Sequence, residues 1–210
     1  MPTETLLHSL FPVPLLQLRG LVPRNLADRL AARMAQGPLS RNPRSAALKH
    51  TGLLSPGEDA DIDAVAAALL PHLTAFGVDL MGEPLRWGIK ELWCNVLDEG
   101  GHQSLHNHAN SFISGVVYLT DTAGCTQTAF SRQIGSPEFK LSNEHEGTQS
   151  GPFNAPKWVA PEARAGDAVV FPSYLLHEVP PNQGGRRVTL SFNAIPDRLN
   201  SWGYELHLGS

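Results

Sequence analysis

Two histidines, His106 and His108, lie two residues apart in the segment HNH. On an extended chain, residues i and i+2 project from the same face, so both imidazoles can point toward one metal ion. The natural third ligand is His177, because it follows the strand-like run GDAVVFPS and precedes a Pro-Pro turn. Imidazole suits Fe(II), Zn, Cu and Ni, so the ligand type alone does not choose the metal. An H-x-H pair on a surface strand is usually solvated, so this spacing alone does not establish a metal site.

A second chemical pattern lies in the run RVTLSFNA, which begins ten residues after the third histidine. Polar and apolar residues alternate there, so the polar side chains share one face of a predicted strand. The polar residues are Arg187, Thr189, Ser191 and Asn193, and the apolar residues are Val188, Leu190, Phe192 and Ala194. A guanidinium beside hydroxyls is a good carboxylate receptor, because arginine offers a fixed fork of donors. The alternative is an ordinary strand whose polar face lies in water.

Short strands must position these residues. Four strand-like runs, separated by Gly, Pro and Asn turns, cover residues 89–97, 112–120, 167–171 and 188–195. The run FPVPLLQL at residues 11–18 predicts an edge strand, because its two prolines would be poorly tolerated in a central one. The polar stretch of residues 131–161 is rich in Gly and Pro, and we expect it to shape the entrance of the site.

Two amphipathic helices are predicted before these strands. Residues 25–36 carry apolar side chains at four-residue steps and stop before Gly37. Residues 59–76 carry a second apolar stripe, in which Pro71 predicts a kink or a break. Residues 40–57 are polar and turn-rich, and we expect them to be irregular. Each helix needs a sheet to cover its apolar face, so the pattern predicts a mainly β sandwich or barrel with both N-terminal helices packed on one outer face.

The composition limits the class of protein. With 210 residues, of which 41% are hydrophobic and 17% charged, residues 1–210 are predicted to form a single globular domain. A net charge of -4 argues against a nucleic-acid partner. Two cysteines, Cys94 and Cys125, are too few for a disulfide framework, so we expect a cytoplasmic location. No uninterrupted apolar run approaches the ~18–20 residues of a membrane helix, so no membrane partner is expected.

The order of the patterns resembles a known family. H-x-H is followed by SGVVYL, by GDAVVFPS, by a histidine, by an arginine ten residues on, and by SFN. From Trp93 to Asn193 this order resembles the 2-oxoglutarate/Fe(II)-dependent oxygenase family, whose members adopt the double-stranded β-helix (jelly-roll) fold. The resemblance implies that fold, Fe(II) as the metal and 2-oxoglutarate as the cosubstrate. It also implies a dioxygenase that hydroxylates a small molecule or peptide, with substrate and oligomeric state left open.

The resemblance assigns the metal ligands. His106 and His177 match the first and last histidines of the family's H-x-D/E…H iron triad. The middle ligand of that triad is a carboxylate, and here the position is His108. Glu178 would face away on an extended chain, and Asn110 is a poor replacement for a charge. We therefore predict His106, His108 and His177 as the ligands, a set that lacks one negative charge and holds the ion less strongly.

The resemblance also assigns the cosubstrate pocket. Arg187 matches the basic residue that binds the distal carboxylate of 2-oxoglutarate. Ser191, two positions on from Thr189, resembles the hydroxyl that often assists it. Asn95 and Tyr118 stand where inward-facing polar residues of other strands would line the same pocket.

Three other functions remain open from the residues. A cupin-type dioxygenase with three histidines would use iron but would not need Arg187 or 2-oxoglutarate. A zinc hydrolase would use the same histidines, with Glu178 or Glu99 as its general base. A non-catalytic jelly-roll metal-binding module would need no cosubstrate. An inventory of the metals and small molecules bound to the purified protein would separate all four.

Overall fold

The computed structural model of the protein describes residues 3–132 and 146–208. Within these residues the chain forms antiparallel sheets and two helices, α1 (Arg24–Gln36) and α2 (Ala60–Met81). The strands are β1 (Leu16–Leu18), β2 (Ser40–Asn42), β3 (Ser45–His50), β4 (Trp87–Leu97), β5 (Gln103–His106), β6 (Ile113–Tyr118), β7 (Ala129–Ser131), β8 (Lys157–Val159), β9 (Ala168–Pro172), β10 (His177–Val179), β11 (Arg187–Pro196), β12 (Arg198–Ser201) and β13 (Tyr204–His207).

The larger sheet has the strand order β1-β9-β6-β11-β4-β3-β2. In this sheet β11 lies between β6 and β4, so that Thr189 is opposite Tyr118 on one side and Asn95 on the other. Side chains at every second position of a strand point to the same face. Arg187, Thr189 and Ser191 therefore face one side of the sheet together, and the apolar residues between them enter the core on the other side.

The smaller sheet has the strand order β5-β10-β7-β8. Its strand β10 pairs with β5, which places His177 opposite His106. On its other side β10 pairs with β7, which places His177 opposite Phe130. After β11, the last strand of the larger sheet in chain order, β12 and β13 pair with each other as a separate hairpin. Pairing of two strands that are far apart in the sequence thus brings two histidines side by side.

The main hydrophobic core joins the helices to the larger sheet. It contains buried side chains of α1 and α2 together with those of β4, β6, β9 and β11. The helix α2 buries Ile62, Val65, Leu69 and Leu73, none of which is more than 1% exposed. Burying one such side chain contributes roughly 1.5–3 kcal/mol, so this stripe holds α2 against the sheet.

The helix α2 begins at a side-chain cap and continues past its predicted end. Asp59 accepts hydrogen bonds from two backbone N–H groups of the first turn, which satisfies two otherwise unpaired donors. The end predicted at Phe76 is wrong, because the helix runs through to Met81, and of the kink or break predicted at Pro71 the break does not occur. A proline inside a helix costs about 3 kcal/mol. Burial of Leu73 and Phe76 beyond the proline offsets this cost.

The prediction that residues 40–57 are irregular holds for residues 51–57 and is wrong for residues 40–50. Residues 40–50 contain β2 and β3, which form a hairpin at one edge of the larger sheet. Ser45 and Leu48 of β3 are buried, and β3 pairs with β4. The run SRNPRSAALKH has no regular alternation of polar and apolar residues, so its strand character comes from pairing with β4 rather than from its own pattern.

The remaining predicted elements agree with the structure. The helix α1 and the strands β4, β6, β9 and β11 lie within one to two residues of their predicted bounds. β1 is an edge strand, as predicted, but it covers only Leu16–Leu18, since Pro12 and Pro14 precede it. Of the predicted polar excursion, residues 133–145 lie outside the described residues.

The helix α2 has 22 residues and is apolar enough on average to cross a membrane. It was not recognised in the sequence as a possible span, because polar residues interrupt its apolar runs. In the structure one stripe of α2 is buried in the core and contacts β4. Length and composition alone are weak evidence for a membrane span, because core helices of soluble proteins also pass this test.

Candidate metal and carboxylate-binding site

Three histidine side chains converge where β5 and β10 pair. His106 is the last residue of β5, His177 is the first of β10, and His108 follows β5 by two residues. One ring nitrogen from each residue lies within 4.8 Å of the other two. The ring centroids of His106 and His177 are 4.2 Å apart. The structure therefore brings the three predicted ligands together, in an arrangement that could hold a divalent transition metal.

Backbone carbonyls orient two of the three imidazoles. Nδ1 of His106 lies 2.7 Å from the carbonyl oxygen of Ser104, and Nδ1 of His177 lies 2.9 Å from that of Leu175. A carbonyl only accepts, so in each ring the proton is on Nδ1 and the lone pair is on Nε2. Metal-ligating histidines commonly donate their other N–H to such an acceptor. These two rings are thus held with Nε2 free for a metal.

The third imidazole has different neighbours. The backbone N–H of His108 donates to the carbonyl of Ser173 at 2.9 Å, and Nδ1 of its ring lies 3.2 Å from Nδ2 of Asn193. The same Asn193 nitrogen donates to Oε2 of Glu91 at 2.6 Å. The amide oxygen of Asn193 accepts from the hydroxyl of Ser114 at 2.7 Å. A side-chain network therefore holds His108, where backbone carbonyls hold the other two histidines.

The three rings are neutral at ordinary pH. Burial, with a smaller contribution from the neighbouring His106, lowers the pKa of His108 to about 4 and that of His177 to about 3. Glu91 acts in the opposite direction on the pKa of His108. Burial also lowers the pKa of His106. Neutral imidazole is the form that binds metals, so no proton needs to be removed before a metal binds near pH 7.

A cavity of about 520 Å³ adjoins the histidines and extends between the two sheets. All three histidines line it. Its other polar lining includes Asn95, Gln103, Thr128, Arg187, Thr189 and Ser191. Its apolar lining includes Leu48, Trp93, Val116, Phe171 and Val179. The volume lies within the ~300–1,000 Å³ range of small-molecule sites.

Arg187 lies in the wall of this cavity and is only 4% exposed. Its Nη2 donates to the hydroxyl of Thr128 at 3.2 Å. Its Nε is buried without a hydrogen-bond partner, and no carboxylate of the described residues forms an ion pair with it. Burial lowers the pKa of Arg187, and the adjacent Tyr118 acts in the opposite direction. A buried guanidinium without an anion is costly, so the geometry favours a carboxylate ligand at this position.

The other predicted pocket residues are near Arg187 but differ in their contacts. Ser191 accepts a hydrogen bond from Nδ2 of Asn95 at 2.9 Å, and both line the cavity. The hydroxyl in contact with the guanidinium is that of Thr128, a residue that the sequence reasoning missed. Tyr118 is fully buried beside Arg187, and its hydroxyl has no hydrogen-bond partner in the described part of the chain.

The carboxylates near the histidines in the sequence bind cations elsewhere. The pairs are Asp98 with Arg186, Asp121 with Arg24, and Glu178 with Lys157. Within the described ranges, the group that could hold a metal contains the three histidines and no carboxylate. Arg186 points away from Arg187, as the alternation predicts.

Glu91 and Asn193 were not predicted as site residues, although the sequence contains a signal for both. Asn193 belongs to the polar face that begins with Arg187. Glu91 belongs to the face of β4 that also carries Trp93 and Asn95, since every second residue of a strand points the same way. Alternation thus identifies the face of each strand, but not the contact between the two residues.

The part of the chain that forms the site matches a known family. Residues 91–193 match the family model described as "Putative 2OG-Fe(II) oxygenase". This range runs from Glu91 to Asn193 and includes all three histidines and Arg187. A search of curated proteins found no match to the sequence.

Solved structures share the fold at low sequence identity. HygX from Streptomyces hygroscopicus, with nickel and 2-oxoglutarate bound, superposes with a TM-score of 0.62 at 15% identity over 88% of this chain and 83% of HygX. SnoN, a non-haem α-ketoglutarate-dependent epimerase from nogalamycin biosynthesis, superposes with a TM-score of 0.63 at 16% identity over 89% and 80%. A prolyl-4-hydroxylase from Pseudomonas putida superposes with a TM-score of 0.61 at 19% identity over 86% and 92%. At these identities the likeness shows a shared fold.

Proposed function

Residues 91–193 match the 2OG-Fe(II) oxygenase family model, and from this premise we propose that the chain is a member of that family, a 2-oxoglutarate- and Fe(II)-dependent dioxygenase that hydroxylates its substrate. The observation that carries the proposal is the buried Arg187, whose Nε has no partner and which lines the same cavity as the three histidines. A metal site alone would suit several classes of enzyme. A metal site that shares a cavity with a buried guanidinium, which has no anion partner among the described residues, suits a cosubstrate with a carboxylate at its far end.

The donor set fits Fe(II). Two imidazoles have Nε2 free because their Nδ1 atoms donate to backbone carbonyls, and the third ring nitrogen lies within 4.8 Å of both. Imidazole is a good ligand for Fe(II), although three neutral ligands lack the negative charge that a carboxylate would add. We propose His106, His108 and His177 as the residues that hold the ion.

The surroundings of Arg187 fit 2-oxoglutarate. The guanidinium would bind the distal carboxylate, and the hydroxyl of Thr128 would keep the guanidinium oriented. Ser191 and Asn95, which bind each other, would line the path between Arg187 and the histidines. Tyr118 would stabilise the guanidinium through its ring and offer its free hydroxyl to the same carboxylate.

The reaction divides between the bound groups and the chain. Bound iron and 2-oxoglutarate supply the oxidising power, with O2 as the oxidant and succinate and CO2 as products. The chain binds the cosubstrate at Arg187, orients two imidazoles through carbonyls, and excludes water with apolar walls such as Trp93 and Phe171. Hydroxylation requires only that a substrate C–H bond is held beside the metal, and needs no further acid or base from the chain.

The finer description of the fold is part of the proposal. We propose that the two sheets form the double-stranded β-helix, or jelly roll, of this family and that α1 and α2 cover one outer face of it. Contacts of both helices with β4, and of α1 with β11, support this placement. Three further statements also stay predictions: residues 1–210 form one domain, the protein is cytoplasmic, and it binds a small molecule or peptide and no nucleic acid.

The test is a binding and turnover experiment on the purified protein. Under anaerobic conditions, calorimetry should show that 2-oxoglutarate binds the Fe(II)-loaded protein. After O2 is admitted, mass spectrometry should detect succinate in at least a slow reaction without substrate. A protein that binds iron but not 2-oxoglutarate would instead support the three-histidine cupin alternative. A protein that binds 2-oxoglutarate and never forms succinate would support a non-catalytic module.

A further inference from the structure

His108 differs from the other two histidines in the group that faces its Nδ1. His106 and His177 each have a backbone carbonyl there, at 2.7 and 2.9 Å, and a carbonyl can only accept. His108 has the side-chain amide of Asn193, whose Nδ2 lies 3.2 Å from Nδ1. An amide can present either its nitrogen or its oxygen, and the two ends have opposite hydrogen-bonding roles.

The orientation of the amide in the structure is set by its two other contacts. Asn193 is 1% exposed, its Nδ2 donates to Oε2 of Glu91 at 2.6 Å, and its Oδ1 accepts from Ser114 at 2.7 Å. With the nitrogen toward Glu91, the second N–H of the amide points to Nδ1 of His108. A neutral imidazole whose Nδ1 accepts a hydrogen bond carries its proton on Nε2.

That tautomer does not match the one a metal on Nε2 requires. A ring that binds metal through Nε2 has its proton on Nδ1, where it needs an acceptor. Turning the amide of Asn193 by half a turn would supply this acceptor, because Oδ1 would then face Nδ1. The amide nitrogen would face Ser114, whose hydroxyl can accept from it and donate to Ser173, which lies 2.7 Å away.

Glu91 is the group that resists the half turn. The rotation would bring the amide oxygen against Oε2, so the carboxylate would have to move away. It has room to do so, because the side chain of Glu91 is 25% exposed and its other oxygen lies 3.9 Å from the surface amine of Lys90. Ser114 and Ser173 tolerate both orientations, since a hydroxyl both donates and accepts.

We propose that Asn193 is a positioning residue that sets which ring nitrogen of His108 is free for the metal, and that Glu91 holds Asn193 in the orientation that disfavours metal binding. His108 can then bind the metal through Nε2 only after the amide of Asn193 has turned. On loading, the ring loses its proton from Nε2 to water and gains one at Nδ1 from water, so both forms are neutral. The inference deepens the proposed function and rests on it, since it takes the three histidines as the metal ligands.

The first test reads the tautomers by NMR of protein labelled with ¹⁵N in its histidines, with Zn²⁺ as a diamagnetic probe. Without metal, we expect the proton on Nε2 in His108 and on Nδ1 in His106 and His177. With Zn²⁺, we expect it on Nδ1 in all three. Spectra of single His→Ala variants assign the signals. A proton on Nδ1 of His108 before Zn²⁺ is added would overturn the inference while leaving the metal site intact. If Zn²⁺ shifts none of the three rings, both the inference and the proposed metal site fail.

The second test exchanges the carboxylate and the amide. The double variant Glu91→Gln/Asn193→Asp leaves the local charge unchanged, but the new carboxylate at position 193 can only accept a hydrogen bond from Nδ1 of His108. The proton of His108 should then lie on Nδ1 before metal is added. The dissociation constant of Zn²⁺, measured by competition with a chelator, should fall about 10-fold, the scale on which outer neighbours of a ligand act.

Two further variants keep this test decisive if the double variant folds poorly. Glu91→Gln alone changes a partly exposed residue, and it should shift His108 toward the Nδ1–H form by releasing the amide. Glu178→Gln is the matched control, because Glu178 directly follows a proposed ligand but pairs with Lys157. The control should leave the tautomers and the Zn²⁺ affinity unchanged. Parent-like tautomers in both Glu91 variants would contradict the role given to Glu91.

Discussion

The guanidinium of Arg187 lies over the ring of Tyr118, with its central carbon 5.4 Å from the ring centroid. Both residues are buried, and each has a polar atom without a partner among the described residues, Nε of Arg187 and the hydroxyl of Tyr118. A buried, unsatisfied polar group costs about 1–3 kcal/mol. The two costs fall on neighbouring residues, of which Arg187 lines the cavity and Tyr118 is buried beside it, and a carboxylate bound at Arg187 would remove the cost at Nε.

Replacing Arg187 should weaken cosubstrate binding and leave the metal site intact. A charge-assisted hydrogen bond contributes about 1.5–3 kcal/mol, so Arg187→Ala should raise the Kd of 2-oxoglutarate by at least ~10- to 100-fold. Arg187→Lys should recover only part of the loss, because an ammonium lacks the planar fork. Anaerobic calorimetry measures both. Arg186→Ala is the control, because Arg186 pairs with Asp98 and points away from the cavity. If Arg186 matters and Arg187 does not, the assignment of the carboxylate site is wrong.

Removing the hydroxyl of Tyr118 should stabilise the ligand-free protein and weaken the binding of 2-oxoglutarate. Without ligand, Tyr118→Phe removes a buried unsatisfied group and should raise the free energy of unfolding by about 1 kcal/mol. With the proposed carboxylate bound, the same change removes a donor and should raise the Kd of 2-oxoglutarate several-fold. Urea unfolding and calorimetry on the same variant test the two halves. A loss of stability in the ligand-free protein would mean that the hydroxyl already has a partner.

Removing any one of the three histidines should sharply reduce metal binding. His106→Ala, His108→Ala and His177→Ala each delete one of the three donors that the described residues provide, so their metal content after dialysis against Fe(II) should fall well below that of the parent. His50→Ala is the control, since His50 lines the same cavity but lies outside the three-histidine group. Metal analysis by mass spectrometry gives the result. Three variants that retain iron as well as the parent would exclude this site.

The metal-free protein should lose stability as the pH falls below about 6.5. The pKa of an unfolded histidine is about 6.5. In the folded protein it is about 4 for His108 and about 3 for His177, mainly because of burial. Between these values the unfolded chain binds protons that the folded chain does not, so the free energy of unfolding decreases with falling pH. Urea midpoints at pH 7, 6 and 5 measure the slope. In the double variant His108→Ala/His177→Ala, the free energy of unfolding should depend less steeply on pH. An equal dependence would mean that other groups cause the pH effect.

Replacing the proline inside α2 should stabilise the fold without affecting the site. Pro71 is exposed and lies mid-helix, where proline is about 3 kcal/mol less favourable than alanine. Pro71→Ala should therefore raise the melting temperature, by about 2–4 °C for each kcal/mol gained in a domain of this size. Calorimetric melting measures the shift, and the 2-oxoglutarate affinity should not change. A lower melting temperature would show that the proline contributes to the helix in another way.

The sequence predicted the parts of the site that follow from backbone geometry. Alternation in β11 correctly separated Arg187 from Arg186, because successive side chains of a strand point to opposite faces. The spacing of His106 and His108 placed two imidazoles close together, and the position of His177 between a strand-like run and a Pro-Pro turn placed it at a strand end. Each of these inferences depends on residues that are near one another in the chain.

Only the tertiary structure decided which of these residues contact one another and which further residues bind their side chains. The pairing of β10 with β5 sets His177 opposite His106, and the pairing of β11 with β4 joins Asn193 to Glu91, a residue 102 positions earlier in the chain. The hairpin of β2 and β3 was missed for the same reason, because β3 is held by pairing with the distant strand β4 and β2 by pairing with β3. A local pattern fixes the direction of a side chain, but strand pairing between distant segments selects its neighbours, and those neighbours set the chemistry of His108 and Arg187.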